Sequence, residues 1–99
     1  MIIHTVAFKT KHPAGSPQEQ AFLTAGVVLA KLPMVNNFQC YRQVGQKNEY
    51  DFGFSMEFTN QADYDAYSNH PEHVAFVENI WKQEIDVFLE LDYVKHESF

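Results

Sequence analysis

The sequence is poor in cysteine and in basic residues. It has a single cysteine, Cys40, and only seven Lys and Arg against thirteen Asp and Glu, a formal charge of -6. One cysteine excludes an intrachain disulfide. The acidic balance, with the few basic residues scattered, repels phosphate backbones and anionic headgroups, so neither nucleic acid nor a membrane is an expected partner. No apolar run approaches the ~20 residues that span a bilayer. The start Met1-Ile2-Ile3-His4 lacks a basic segment followed by a long apolar one, and the chain reads as cytoplasmic. Repeats and low-complexity tracts are also missing, and the one linker-like stretch is Lys11 to Pro17.

What is present is 99 residues, 45% hydrophobic and 15% aromatic, which suits one domain over 1–99. A chain this short buries only about 60–70% of its unfolded surface and gains from a second copy. Ile2 to Lys9 alternates, with His4, Val6 and Phe8 on one face and Ile3, Thr5 and Ala7 on the other, predicting a strand apolar on both sides. Ser16-Pro17 opens a helix expected to reach about Leu32, its stripe being Phe22, Ala25, Val28, Leu29 and Leu32. A second strand is expected over Phe38–Val44 and a third over Tyr50–Thr59, joined by the hairpin-like stretch Gly45–Glu49. Phe52, Phe54, Met56 and Phe58 then share one face with the helices. Asn60 or Thr59 caps a short helix carrying Tyr64 and Tyr67, and a longer helix follows with Val74, Val77, Ile80 and Trp81 inward. Ile85 to Val94 returns to period two, placing Ile85, Val87, Leu89, Leu91 and Tyr93 opposite Phe88, and the tail Lys95–Phe99 is expected to fray.

The order β-α-β-β-α-β predicts an α+β, ferredoxin-like domain, with helices on one face of a four-stranded antiparallel sheet. Ile3, Ala7 and Phe88 are surplus apolar positions for the helix-free face, where a homodimer through the sheet would cover them.

Chemistry concentrates at Tyr67-Ser68-Asn69-His70-Pro71-Glu72-His73. Pro71 suits a first helical position, so Asn69 or His70 caps a new helix and His73 falls in its first turn. Unpaired N–H groups there disfavour imidazolium and keep His73 a neutral base. His4, Tyr67 and His73 are expected to converge on one cavity between helix and sheet, with His73 as base and Tyr67 as hydrogen-bond donor. A bare cap, or a buried His–Tyr contact in a filled core, accounts for the same residues. A metal held by His70, His73 and His4 is disfavoured because Pro71 turns His70 into the cap, and no metal or cofactor is expected. His12 reads as solvated.

The opening Ile3-His4-Thr5-Val6-Ala7-Phe8-Lys9 together with Tyr67-x-x-His70-Pro71-x-His73-Val74-x-Phe76 resembles the stress-responsive A/B barrel family over essentially the whole chain. The resemblance implies a dimeric α/β barrel built from two ferredoxin-like subunits. It also implies a polyketide-cyclase-like activity of the olivetolic acid cyclase kind, with His73 matching the general base, Tyr67 the orienting tyrosine and His4 a first-strand histidine. The chain departs from that cyclase at Glu72 and at Ala25, where a small residue and an aromatic wall are expected. Two function classes follow: a stress-response barrel binding a small hydrophobic or aromatic ligand as a homodimer, and a lyase or cofactor-independent oxygenase.

Overall fold

The computed structural model describes residues 1–97. β1 (Ile2–Thr10) leads through the 11–16 connection to α1 (Pro17–Val27), extended by a 3₁₀ turn at Val28–Lys31. β2 (Asn36–Arg42) and β3 (Phe52–Phe58) follow, then α2 (Gln61–Ser68), α3 (Pro71–Phe76), a π-helical turn (Val77–Trp81), the short α4 (Lys82–Glu84) and β4 (Ile85–Tyr93). The sheet order is β2-β3-β1-β4, antiparallel throughout, which is the ferredoxin-like arrangement. Residues 94–97 lie beyond β4, and the expectation for the tail falls partly on residues outside those described.

Local chemistry explains the element starts. Ser16 Oγ accepts from the Glu19 N–H at 3.2 Å while the Glu19 carboxylate accepts from the Gly15 N–H at 3.0 Å, a reciprocal pair that satisfies two orphan donors. Asn60 caps α2 through the Asp63 N–H at 2.9 Å. β3 is shorter than its alternation implies, and β2, expected over Phe38–Val44, keeps its seven residues but begins and ends two positions earlier. Gln43 folds its side chain back onto Tyr50 O at 2.6 Å and onto the Gly45 N–H, converting 43–51 into a loop.

The core lies between the helices and one sheet face, where Phe8, Phe22, Phe58 and Met56 are the largest fully buried side chains. On α1 the inward residues are Glu19, Phe22 and Gly26, followed by Leu29, so the expected stripe is corrected: Val28 is exposed and Gly26 takes the close contact with Phe54. After Pro71, α3 turns Phe76 into the core and leaves Val74, which the sequence placed inward, exposed.

The larger correction concerns β4. Phe8 pairs with Phe88, Val6 with Glu90 and His4 with Asp92, so these three β4 residues share the helix-side face and Phe88 is not on the helix-free one. The register shifts between Lys9, opposite Val87, and Thr10, opposite Ile85, leaving Asp86 as the extra residue of a bulge. Ile85 is therefore buried while Leu89, Leu91 and Tyr93 lie exposed opposite Ala7, Thr5 and Ile3 on the helix-free face.

Candidate functional site

His70 is the cap of α3, and its Nδ1 accepts from the Glu72 N–H at 3.1 Å. Asn69 instead closes α2, its N–H donating to Asp65 O at 3.0 Å. This break returns the chain so that Tyr67 and His73 meet with ring centroids 4.3 Å apart, and His4 lies 6.2 Å from Tyr67. All three line a cavity of about 360 Å³, walled by Val6, Leu29, Phe54, Met56, Phe76, Val77, Trp81 and Phe88, with Lys82 and Glu90 as its charged residues. His70 does not line it.

His73 Nδ1 is 3.1 Å from Ser68 O, a carbonyl that only accepts, so Nδ1 carries the proton and Nε2 is left as the basic lone pair. Its pKa is lowered, first by burial and then by the charges of His4 and His70, while the Ser68 carbonyl and Glu90 pull the other way. Desolvation, more than the helix start, keeps this imidazole neutral. The Tyr67 ring is 3% exposed, and burial with the nearby Glu90 charge raises its pKa, so its hydroxyl stays protonated. That hydroxyl makes no hydrogen bond to the protein, and no fully buried side-chain N or O among the described residues lacks a partner, so it opens onto the cavity.

His4 is buried, and its Nδ1–H donates to Asp92 Oδ1 at 2.5 Å. The Tyr64 hydroxyl lies 3.0 Å from the same nitrogen and donates to Asp92 Oδ2 at 2.7 Å. Burial and then the Asp92 carboxylate raise the Tyr64 pKa. Glu90 Oε1 is 3.4 Å from the Tyr64 hydroxyl and 3.8 Å from His4 Nδ1. Among the described residues one trio of potential metal ligands is clustered: His4, Glu90 and Asp92, with ligand atoms within 4.8 Å of one another. This differs from the His70–His73–His4 set considered from sequence. Tyr64, Glu90 and Asp92 were missed by sequence reasoning, since Glu90 and Asp92 alternate with apolar residues as a solvated strand face does. Their register opposite Val6 and His4 is the signal that identifies them. His12 is also not simply solvated, because its Nε2 pairs with Glu84 Oε1 at 2.6 Å.

A ferredoxin-like sheet with this His-Pro helix break defines the class. The profile of the Stress Responsive A/B Barrel Domain matches residues 2–95, and the chain belongs to that family. A Mesorhizobium loti protein of the same family, with a ferredoxin-like fold, is 46% identical with a TM-score of 0.95 over 96% of both chains. A dimeric ferredoxin-like protein from Thermobifida fusca is 23% identical (TM-score 0.76, 95% of this chain and 90% of that one). A hydroxynitrile lyase from Passiflora edulis shares the fold at 15% identity (TM-score 0.83, 99% and 95%). Among curated proteins none matches the chain. No helix among the described residues is long and apolar enough to cross a membrane.

Proposed function

We propose that this A/B barrel domain binds a small hydrophobic or aromatic ligand in the cavity between helices and sheet, as a homodimer joined through the helix-free sheet face. The observation that carries the ligand is the cavity itself: about 360 Å³, at the lower end of small-molecule sites, apolar along most of its wall and polar at His4, Tyr67, His73 and Glu90. A side-chain-filled core would have left no such space. The dimer rests on the exposed row Leu89, Leu91 and Tyr93 beside Ile3 and Ala7, and on the dimeric fold relatives.

Trp81 is the sole tryptophan and lines the cavity, so its fluorescence reports occupancy directly. Titration with simple phenols and naphthols is expected to give saturable change in Trp81 emission, lost in Leu29→Phe, which fills the cavity. Emission indifferent to the whole panel would overturn the reading.

One observation favours a second reading, a lyase that removes a proton α to a carbonyl. His73 has its tautomer fixed by Ser68 O with Nε2 free, and Tyr67 offers an unengaged hydroxyl beside it. In that reading Nε2 takes the proton, the C–H electron pair becomes the C=C bond of the enolate, the carbonyl π pair moves onto oxygen, and Tyr67 donates to that oxygen. Deuterium uptake at the α-carbon of an acetoacetyl thioester in D₂O, lost in His73→Gln, is the expected signature. Equal uptake in the variant removes His73 from the role.

A further inference from the structure

We propose that the occupant of this cavity is an organic cation, an ammonium group carried on an aromatic or aliphatic body, with Glu90 as its counter-ion and Trp81, Phe88 and Tyr67 as the rings that receive it. The inference rests on the ligand-binding reading above and narrows it to a chemical class. Glu90 stands on β4 opposite Val6, on the face that lines the cavity, with its side chain half exposed. Its neighbours are neutral or shared: the Tyr64 hydroxyl at 3.4 Å and His4 Nδ1 at 3.8 Å, the latter committed to Asp92 at 2.5 Å. No lysine or arginine among the described residues pairs with it. The one cationic residue on the cavity wall, Lys82, has its Nζ on Glu78 Oε1 at 2.7 Å. The cavity therefore presents a carboxylate with no lysine or arginine partner, whose one ion-pair contact, His4 Nδ1 at 3.8 Å, lies closer to Asp92.

The rest of the wall suits a cation in the same way. Trp81 and Phe88 meet edge to face with centroids 5.6 Å apart at 75°, so their π surfaces point in different directions around one corner. Phe76 closes on Trp81 at 6.2 Å. Phe88 is half-exposed, so this corner stands at the mouth of the cavity, where an aromatic face attracts a cation and the adjacent carboxylate adds a direct ionic contact. An anionic ligand would meet Glu90, with Asp92 behind it, in a chain of net charge -6. Burial and then this carboxylate raise the Tyr67 pKa, and the carboxylate opposes any enolate formed beside it, so the cationic group also offsets an electrostatic obstacle to the lyase reading.

The test uses three probes with one body: benzyltrimethylammonium, benzyl alcohol and benzoate, titrated against the full chain by Trp81 fluorescence and calorimetry. The cation is expected to bind at least about tenfold more tightly than the alcohol, with benzoate weakest. The preference is expected to fall to near unity in Glu90→Gln and to shrink in Trp81→Leu, the latter read by calorimetry alone. Cation and alcohol binding equally, or benzoate binding best and depending on Lys82, overturns the cation assignment and leaves the cavity as a ligand site. If no probe binds while the protein is folded, the ligand-binding reading fails together with this one.

Discussion

Replacing Gly26 by alanine tests the packing that shapes the cavity. In an exposed helix the change stabilises by about 1 kcal/mol, because alanine is the better helix former. At Gly26, however, an added Cβ would lie 2.5 Å from Phe54 Cζ and 2.8 Å from Cε2, against an ordinary contact of 3.4 Å or more. The ring must yield by roughly 0.9 Å, the difference between those distances. It is held on its other sides by Phe8 at 4.7 Å and Phe38 at 5.3 Å, and the free space beside it is the cavity that it lines. Overpacking of this kind costs about 1–3 kcal/mol. Set against the propensity gain, the expected net effect runs from near zero to a loss of about 2 kcal/mol, accompanied by a narrower cavity.

Urea denaturation at fixed protein concentration measures the stability, and Trp81 titration measures the cavity. Phe54→Leu shortens the ring that collides, so the double variant is expected to recover part of the loss, with a coupling of about 0.5–3 kcal/mol. A Gly26→Ala protein that gains the full helix-propensity increment, with ligand binding unchanged, would refute the close approach of α1 to Phe54.

Two further outcomes follow from the site. His73 has a folded pKa below its ordinary 6.5, so the unfolded state binds the proton more readily. Its contribution is fully present above pH 6.5 and is lost as pH falls through the folded value, so stability should decline on acidification less steeply in His73→Gln than in the parent. An identical slope in both proteins would show that His73 is not desolvated. Tyr67→Phe keeps the buried ring and removes a hydroxyl that the protein does not bond. Stability is expected to change by less than about 0.5 kcal/mol, while α-proton exchange, if the parent supports it, falls by about 100-fold. A large stability loss would assign the hydroxyl a structural bond instead.

The legible and illegible parts of this chain differ for physical reasons. Period-two alternation in β1 and β3 fixes which side chains meet the helices, because every second residue must share a face, and Phe54, Met56 and Phe58 are buried accordingly. Pro71 after His70 marks the helix break through backbone sterics alone. The faces of β4 were not legible, because the bulge at Asp86 changes parity without changing composition. Ile85 and Leu89 look equivalent in sequence and end on opposite faces. The same step hid Glu90 and Asp92. On α1 and the residues that follow it, the helical spacing places Phe22, Leu29 and Leu32 correctly in the core and fails at Val28, while Gly26 is not legible because glycine has no hydrophobic signature, yet its missing side chain is what admits Phe54.

β4 also links the two proposals, and that link gives the last prediction. It is an edge strand, held by one ladder to β1, and its alternate residues serve two surfaces. Glu90 and Asp92 reach the cavity side, whereas Leu89, Leu91 and Tyr93 form the exposed apolar row. Covering that row with a second copy removes apolar area from water and restrains the strand from the other face, which in turn fixes the Asp92–His4 contact. Leu91→Lys places an ammonium in the centre of the row while leaving every cavity side chain unchanged. The expected result is a dimer dissociation constant raised by at least about tenfold, read by light scattering across a dilution series. Ligand affinity should fall with it, recovering at protein concentrations high enough to restore the dimer. Affinity that is lost with the dimer intact would mean that the substitution acts through β4 directly. A Leu91→Lys protein as dimeric as the parent would place the interface elsewhere.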